Sequence, residues 1–259
     1  MRTTRRRDAC LSAHALLRQA TQRGRRQAER LIVALDTPVL ADALATARAL
    51  RGLVRTVKVG SVLFTSAGPT AIQRLRRLGF RVMLDLKFFD IPHTVEWSCR
   101  AAVRQRVSLL TVHASGAPEM LRAAVLGVRE AAKRLRMARP LVLGVTVLTS
   151  VGANRASRMR STVLALAQRA RAAGCDGVVA SAQEAAALRR RFGRTLQIVC
   201  PGIRPARADR GDQQRVVTPA EALARGADAL VVGRPITAAR RPRVAAQTLL
   251  KKMEAVNGC

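Results

Sequence analysis

Short apolar runs alternate with longer helical stretches along most of the chain, beginning at Leu31. The runs are rich in β-branched residues, which is typical of buried strands, whereas the stretches place apolar residues at helical spacing. The runs predict strands at about residues 31–35, 55–59, 81–87, 108–113, 141–147, 176–180, 196–200 and 228–232. The stretches predict helices at about residues 39–50, 69–78, 93–106, 118–136, 157–173, 182–192, 219–225 and 242–255.

Eight strand–helix units, spaced about 25–30 residues apart, predict a parallel sheet that closes into a (β/α)8 TIM barrel, an α/β fold. Four predicted helices are followed by a glycine, as expected just beyond a helix C-terminus: Gly79, Gly174, Gly193 and Gly226. The alternative is an open, doubly wound sheet. No G-x-G-x-x-G motif follows the first strand, which weakens a dinucleotide-binding interpretation. We therefore predict one catalytic barrel domain over residues 31–259, preceded by a basic, disordered extension over residues 1–30.

The charge of the chain is unusual, with 47 Lys and Arg residues against 16 Asp and Glu residues and a formal net charge of +31. Such a basic excess is typical of nucleic-acid-binding proteins. However, residues 1–30 carry nine arginines and two acidic residues, or +7, so +24 is spread over residues 31–259. This spread favours compositional drift over a selected nucleic-acid surface, and we expect only non-specific electrostatic binding of nucleic acid.

The basic extension is Arg-rich and poor in acidic residues, which resembles an organelle transit peptide. A disordered tail or a misplaced start codon are the alternatives that we favour. No apolar stretch reaches the roughly 18–20 residues of a membrane span, so we expect no membrane association. The five cysteines are scattered and form no metal-binding pattern with the three histidines. We therefore expect a reducing, cytoplasmic location and no metal site.

Polar residues of scarce types fall where the predicted strands end, which is where barrels of this kind carry their chemistry. After the first four strands these residues are Asp36, Lys58, Asp85, Lys87, Asp90 and His113. Only five of the 47 basic residues are lysines, so a lysine at a strand end stands out against 42 arginines. Lysine differs from arginine because its ammonium group gives up a proton more readily.

Asp85 and Lys87 are two residues apart on one predicted strand, so both side chains face the same side, about 6.6 Å apart along the strand. A carboxylate and an ammonium group on one face predict proton-transfer chemistry. The alternative is a buried ion pair that only closes the barrel. His113 is a possible general base, but for a lone histidine we favour a packed, hydrogen-bonded role.

The last two strands are followed by groups suited to phosphate, a placement common in such barrels. These groups are Gly202, Arg204, Gln213, Gly233 and Arg234. Guanidinium and amide groups match phosphate oxygens, although Arg204 alone is equally consistent with a solvated loop charge. The segment 201–217 is long for a strand–helix loop, and we interpret it as a possible lid.

The run D-L-K-F-F-D-I-P-H-T over residues 85–94 is similar to the D-x-K-x-x-D-I-P-N-T motif of orotidine 5′-phosphate decarboxylases, in their shorter bacterial form. The resemblance extends from Leu31 to Leu250 through the segments LIVALD, KVG, VHA, VTVLTS, PGIRP, GDQQRVVTPAEAL and ADALVVGRPIT. The short D-x-K-x-x-D pattern also occurs in metal-dependent sugar-phosphate decarboxylases. The I-P-x-T, L-T-S and D-Q-x-R segments favour the first family. His93 stands where that family usually has asparagine.

The resemblance implies a cofactor-free enzyme that decarboxylates orotidine 5′-monophosphate to UMP in de novo pyrimidine biosynthesis, with Lys87 protonating C6. It implies a catalytic array of Lys58, Asp85, Lys87 and Asp90, and a homodimer in which Asp90 acts across the interface. The implied substrate-binding residues are Asp36, Lys58, Asp85, Ile91, Thr94, Thr149, Arg204, Gln213, Gly233 and Arg234. Two alternatives are a metal-dependent sugar-phosphate lyase and a nucleic-acid-binding protein on a reused barrel.

Overall fold

The predicted apolar runs form eight parallel strands that close into a barrel, in which each strand pairs with the next along the chain and the last pairs with the first. The computed structural model describes residues 27–148, 156–204 and 217–254. The strands are β1 (Leu31–Ala34), β2 (Thr56–Gly60), β3 (Arg81–Phe88), β4 (Leu109–His113), β5 (Leu141–Val145), β6 (Gly177–Val179), β7 (Gln197–Cys200) and β8 (Ala229–Val232). The closed barrel confirms the predicted (β/α)8 fold over the open sheet.

Helices follow the strands and cover the outside of the barrel. They are α1 (Leu40–Leu50), α2 (Ser61–Arg77), α3 (Pro92–Arg104), α4 (Pro118–Arg134), α5 (Ala156–Ala172), α6 (Ala182–Phe192), α7 (Pro219–Ala224), α8 (Arg234–Thr237) and α9 (Pro242–Glu254), with a 3-10 turn at Gly193–Thr195. The helix α8 was not predicted, because four residues are too few to show a helical period.

The helix α2 begins at Ser61, well before the predicted start at residue 69. It is kinked where Gly68 adopts a non-helical conformation, with φ 55° and ψ −149°, immediately before Pro69. Proline disfavours a helical conformation in the residue before it, and glycine tolerates positive φ. The predicted helix is therefore only the second half of α2.

Alternation along the strands divides the apolar side chains between two layers. In β1, Leu31 and Val33 belong to the large layer between strands and helices, while Ile32 and Ala34 belong to the barrel interior. The interior cluster consists of Ile32, Ala34, Met83, Leu109, Leu143, Val145, Val179, Val199 and Val231. A fully buried aliphatic side chain stabilises the fold by roughly 1.5–3 kcal/mol. These two layers hold the strand ends in fixed positions.

Two aspartates connect neighbouring strands at the amino-terminal end of the barrel. Asp176 Oδ2 accepts a hydrogen bond from the Val142 N–H at 2.8 Å, and Asp228 Oδ2 accepts one from the Ile198 N–H at 2.7 Å. Each carboxylate also pairs with an arginine: Asp176 with Arg139, and Asp228 with Arg189. In barrels of this kind such features at the amino-terminal end serve stability.

Residues 27–30, assigned from sequence to the basic extension, form a helical turn against the amino-terminal end of the barrel. Gln27 is buried, and the Arg30 guanidinium donates hydrogen bonds to the carbonyl oxygens of Ala227 at 2.7 Å and Asp228 at 3.1 Å. The rest of the predicted extension, residues 1–26, lies outside the described residues. Within the described ranges, no helix is both long and apolar enough to span a bilayer.

Candidate active site

The carboxyl-terminal end of the barrel holds a cavity of about 500 Å³ where the predicted polar strand ends converge. Eight of the residues singled out from sequence line it: Asp36, Lys58, Asp85, Lys87, Gly202, Arg204, Gly233 and Arg234. The period of two in each strand explains this placement. In β3, Met83 faces the barrel interior, so the side chains of Asp85 and Lys87 face the cavity above it.

Four of these side chains form an array of alternating charge, which consists of Asp36, Lys58, Asp85 and Lys87. Lys58 Nζ lies 2.8 Å from Asp36 Oδ1 and 3.4 Å from Asp85 Oδ2. Lys87 Nζ lies 3.0 Å from the same Asp85 oxygen. The side chains of Lys58 and Asp85 are 10% and 11% exposed, whereas that of Lys87 is 34% exposed. The Asp85 carboxylate is therefore almost buried, and the Lys87 ammonium group bound to it is exposed to the cavity.

The Asp85 carboxyl group is ionised despite its burial. Burial alone raises its pKa, but the nearby ammonium groups of Lys58 and Lys87 and hydrogen bonds from Lys87 and Thr111 outweigh this effect. The pKa of Asp85 therefore lies below its ordinary value. Opposite charges within hydrogen-bond distance favour the charged form of a carboxyl group. Asp85 is thus a fixed negative charge between two positive ones.

Thr111, which was not predicted from sequence, connects Asp85 to the backbone of Lys87. Its fully buried hydroxyl donates to Asp85 Oδ1 and accepts from the Lys87 N–H, both at 2.9 Å. Lys87 has a φ of 51°, in the left-handed region, where the pairing of β3 with β4 shifts register between Leu84 and Phe88. A side chain other than glycine is strained there, so the surrounding contacts must hold it. A polar residue within the apolar strand Leu-Leu-Thr-Val-His was the available signal.

His113, at the end of β4, lies beside the array without a direct bond to it. Its Nδ1 is 2.6 Å from the Ser115 hydroxyl oxygen, and its ring meets the Phe89 ring edge-on at 5.6 Å. Burial, and then the charge of Lys87, lower the pKa of His113. The histidine is therefore packed, hydrogen-bonded and neutral at pH 7, in agreement with the interpretation favoured from sequence.

Two arginines occupy the side of the cavity that follows β7 and β8. Arg204 is buried, and its backbone N–H donates to the Val217 carbonyl oxygen at 3.2 Å. This bond lies next to the β-bridge between Ile203 and Val217. Arg234 is the first residue of α8, directly after Gly233. The structure thus brings Arg204 and Arg234 to one cavity, as the phosphate-site interpretation requires. Thr149 and Gln213, and most of the proposed lid, lie outside the described residues.

Three predicted site residues do not line this cavity: Asp90, Ile91 and Thr94. All three are exposed: Asp90 and Ile91 lie between β3 and α3, and Thr94 lies in the first turn of α3. Asp90 Oδ1 accepts a hydrogen bond from the Ile91 N–H at 2.6 Å. The neighbouring His93 accepts a hydrogen bond from the Trp97 indole at 3.0 Å. Within one chain, this segment therefore presents its polar and apolar groups to the outside.

Comparison with known proteins gives one consistent relationship. A sequence model described as "Orotidine 5'-phosphate decarboxylase / HUMPS family" matches residues 29–249. A protein of Moorella thermoacetica named orotidine 5'-phosphate decarboxylase is 47% identical over 237 residues, covering 88% of this chain and 93% of its own length. A Halorhodospira halophila protein of the same name is 49% identical over 232 residues, covering 87% of this chain and 96% of its own length.

The fold is similar to a crystal structure titled as orotidine 5'-phosphate decarboxylase from Lactobacillus acidophilus, with a TM-score of 0.73 and 35% sequence identity. The match covers 87% of this chain and 99% of that one. A conserved protein of Geobacillus kaustophilus, titled as uncharacterized, is similar with a TM-score of 0.74 and 33% identity. Both likenesses extend over nearly the whole of the solved chains.

Replacing Thr111 with valine should lower the free energy of unfolding by about 1–3 kcal/mol, because the buried Asp85 oxygen and the Lys87 N–H lose their shared partner. Thr111→Ser keeps the hydroxyl and should cost clearly less. Urea unfolding at neutral pH, followed by circular dichroism, measures both variants. Equal losses in the two variants would show that the methyl group of Thr111, and not its hydroxyl, carries the effect.

Proposed function

The chain belongs to the orotidine 5′-phosphate decarboxylase / HUMPS family, and from this membership and its site we infer that it decarboxylates orotidine 5′-monophosphate to UMP and CO2 in pyrimidine biosynthesis. The observation that carries this inference is the alternation of Asp36, Lys58, Asp85 and Lys87 at the carboxyl end of the barrel. The sugar-phosphate lyase and nucleic-acid-binding alternatives have no comparable support, since both curated relatives compared above carry the decarboxylase name.

The reaction needs a positively charged group close to C6, because negative charge develops on that carbon. When the bond between C6 and the carboxylate breaks, its electron pair stays on C6, where no adjacent carbonyl delocalises it. A preformed cation stabilises such a charge as it develops, without reorganising during the reaction. Lys87 supplies this cation and then transfers a proton from Nζ to C6. The neutral amine regains its proton from solvent, so the enzyme is restored.

In the proposal, Asp85 acts on both Lys87 and the substrate carboxylate. It accepts a hydrogen bond from Lys87 Nζ at 3.0 Å and so fixes the position of that group. We place it beside the carboxylate of the bound substrate, where two negative charges repel until CO2 leaves. Lys58, held at 2.8 Å by Asp36, balances the charge of Asp85 from the other side. In the proposal, Asp36 and Lys58 contact the ribose.

The phosphate of the substrate is distant from the reacting carbon and supplies binding energy. We assign it to Arg204, Gly233, Arg234 and Gln213, of which the first three line the cavity. Guanidinium groups bind phosphate oxygens with two parallel hydrogen bonds. Binding energy from a remote group can serve to orient and enclose the reacting part of the substrate. Thr149 is assigned to the pyrimidine edge.

A homodimer completes the proposed site, because Asp90 belongs to the catalytic set assigned from the resemblance but does not line its own cavity. The segment around it exposes large apolar side chains: Phe89, Ile91 and Trp97 are 61%, 65% and 51% exposed. Contiguous exposed apolar groups are typical of protein interfaces. In the proposal this face pairs with a second copy, so that Asp90, Ile91 and Thr94 reach the partner's substrate.

A cytoplasmic location is supported by three free, buried cysteines, Cys99, Cys175 and Cys200. The net charge of +31 is expected to bind nucleic acid only without sequence preference and to attract the anionic nucleotide, both less strongly as salt rises.

Replacing Lys87 with alanine should lower kcat by a factor of roughly 10³ or more, because both the developing charge and the proton donor are lost. The loss of orotate absorbance, with purified protein and orotidine 5′-monophosphate, measures turnover. Lys133→Ala removes an exposed lysine of α4 and should leave kcat unchanged. Undiminished turnover in Lys87→Ala would disprove the role given to Lys87.

Mixing inactive Lys87→Ala and Asp90→Ala chains should restore activity. A hybrid dimer has one site with both groups intact, so random exchange should recover about a quarter of the wild-type activity. Native mass spectrometry reports how much hybrid has formed. If hybrids form and the mixture stays inactive, Asp90 does not act across the interface.

A further inference from the structure

The amino-terminal end of the barrel carries a second cavity of about 920 Å³, opposite the active site. Residues that begin strands lie along it, including Thr56, Arg81 and Gln197, together with the helical turn at residues 27–30. Its floor includes Ile32, Leu143 and Val199 of the barrel interior. We call this cavity, whose polar groups include Gln27, Arg30, Arg81 and Arg194, the amino-end basin.

The amino-end basin has more positive than negative groups. Its arginines are Arg30, Arg81, Arg189 and Arg194, and its carboxylates are Glu29 and Asp228. Both carboxylates have partners, since Glu29 pairs with Arg55 at 2.9 Å and Asp228 pairs with Arg189 at 2.6 Å. Within the described ranges, Arg81 and Arg194 form no ion pair. The basin therefore offers two guanidinium groups without a counter-charge.

Arg30 shows that these positive charges act on one another. Its Nε and Nη2 atoms donate to backbone carbonyls and not to a carboxylate. Burial lowers the pKa of Arg30, and the charges of Arg194 and Arg189 lower it further against the opposing effect of Asp228. An anion in the basin would offset this mutual repulsion. The segment 1–26, with eight arginines and one aspartate, has the wrong charge to do so.

Gln27 indicates what else an occupant must carry. Its side chain lies in the basin and the residue is only 3% exposed. Its Oε1 is buried and has no hydrogen-bond partner among the residues described. Buried polar groups in folded proteins almost always have a partner. An amide oxygen accepts hydrogen bonds, so the occupant must provide an O–H or N–H group as well as negative charge.

We propose that the amino-end basin binds a phosphate monoester of a sugar or nucleoside, with the phosphoryl group on Arg194 and a hydroxyl donating to Gln27 Oε1. Guanidinium groups match phosphate oxygens, and the basin has the volume typical of small-molecule sites. Inorganic phosphate satisfies Arg194 but carries no sugar hydroxyl for Gln27. The proposal does not depend on the reaction catalysed at the other end of the barrel.

Equilibrium dialysis of the full chain with labelled ribose 5-phosphate, at about 0.15 M salt, tests this site against diffuse charge. We expect two equivalents bound per chain. Arg194→Gln should weaken one of them about tenfold or more, and Arg204→Gln should weaken the other. Arg76→Gln, the same charge change on an exposed part of α2, should leave both unchanged.

The remaining variants separate the possible outcomes. Gln27→Met keeps the shape of the side chain. It should weaken the binding of ribose 5-phosphate in the basin about tenfold and leave the binding of inorganic phosphate unchanged. One bound equivalent, lost in Arg204→Gln alone, would overturn the proposal, as would equal weakening by Arg194→Gln and Arg76→Gln. Binding that responds to Arg194→Gln but not to Arg204→Gln would support the basin and contradict the phosphate site assigned to the active site.

Discussion

The Asp85 carboxylate lies between two ammonium groups in a nearly buried position, and the catalytic end of the barrel is arranged around it. A buried charge is costly unless it is paired and hydrogen-bonded. Lys58 on β2, Lys87 on β3 and Thr111 on β4 each supply one of these contacts. The register of three neighbouring strands therefore determines where the Lys87 ammonium lies. The left-handed conformation of Lys87 is maintained by the same contacts.

The high net charge acquires a different meaning beside this array. Arginine makes up 42 of the 47 basic residues, but both basic groups of the array are lysines. A lysine can deliver a proton, whereas an arginine holds its proton at all ordinary pH values. In the proposed mechanism, the charge of +31 is thus a background in which Lys87 has the specific task of delivering a proton. The same background makes matched arginine controls necessary wherever anion binding is tested.

The alternation of apolar residues and the ends of the strands were sufficient to predict the barrel and to place Asp36, Lys58, Asp85 and Lys87 at one end of it. A charged array, of Lys58, Asp85, Lys87 and Asp90, was predicted only from the family resemblance. Period-two spacing directs alternate side chains to one cavity, and this rule needs no tertiary information. It does not report local departures from regular geometry, so the register shift at Lys87 and the role of Thr111 were missed. Asp90 shows a further limit, because a single chain does not bring it to the cavity and its proposed role needs a second chain. The packing of Gln27 was missed because charge, and not hydrophobic period, dominates the first 30 residues.

The proposed mechanism requires that Asp85 is held ionised by its two lysines, and a carbon-13 NMR titration of its side chain tests this directly. In the wild-type chain the midpoint should lie below the ordinary value of 3.8. Lys58→Met removes one of the two positive charges that lower the pKa of Asp85 against the effect of burial, so the midpoint of Asp85 should move upwards. A midpoint that is ordinary in the wild type and unmoved in Lys58→Met would contradict the account.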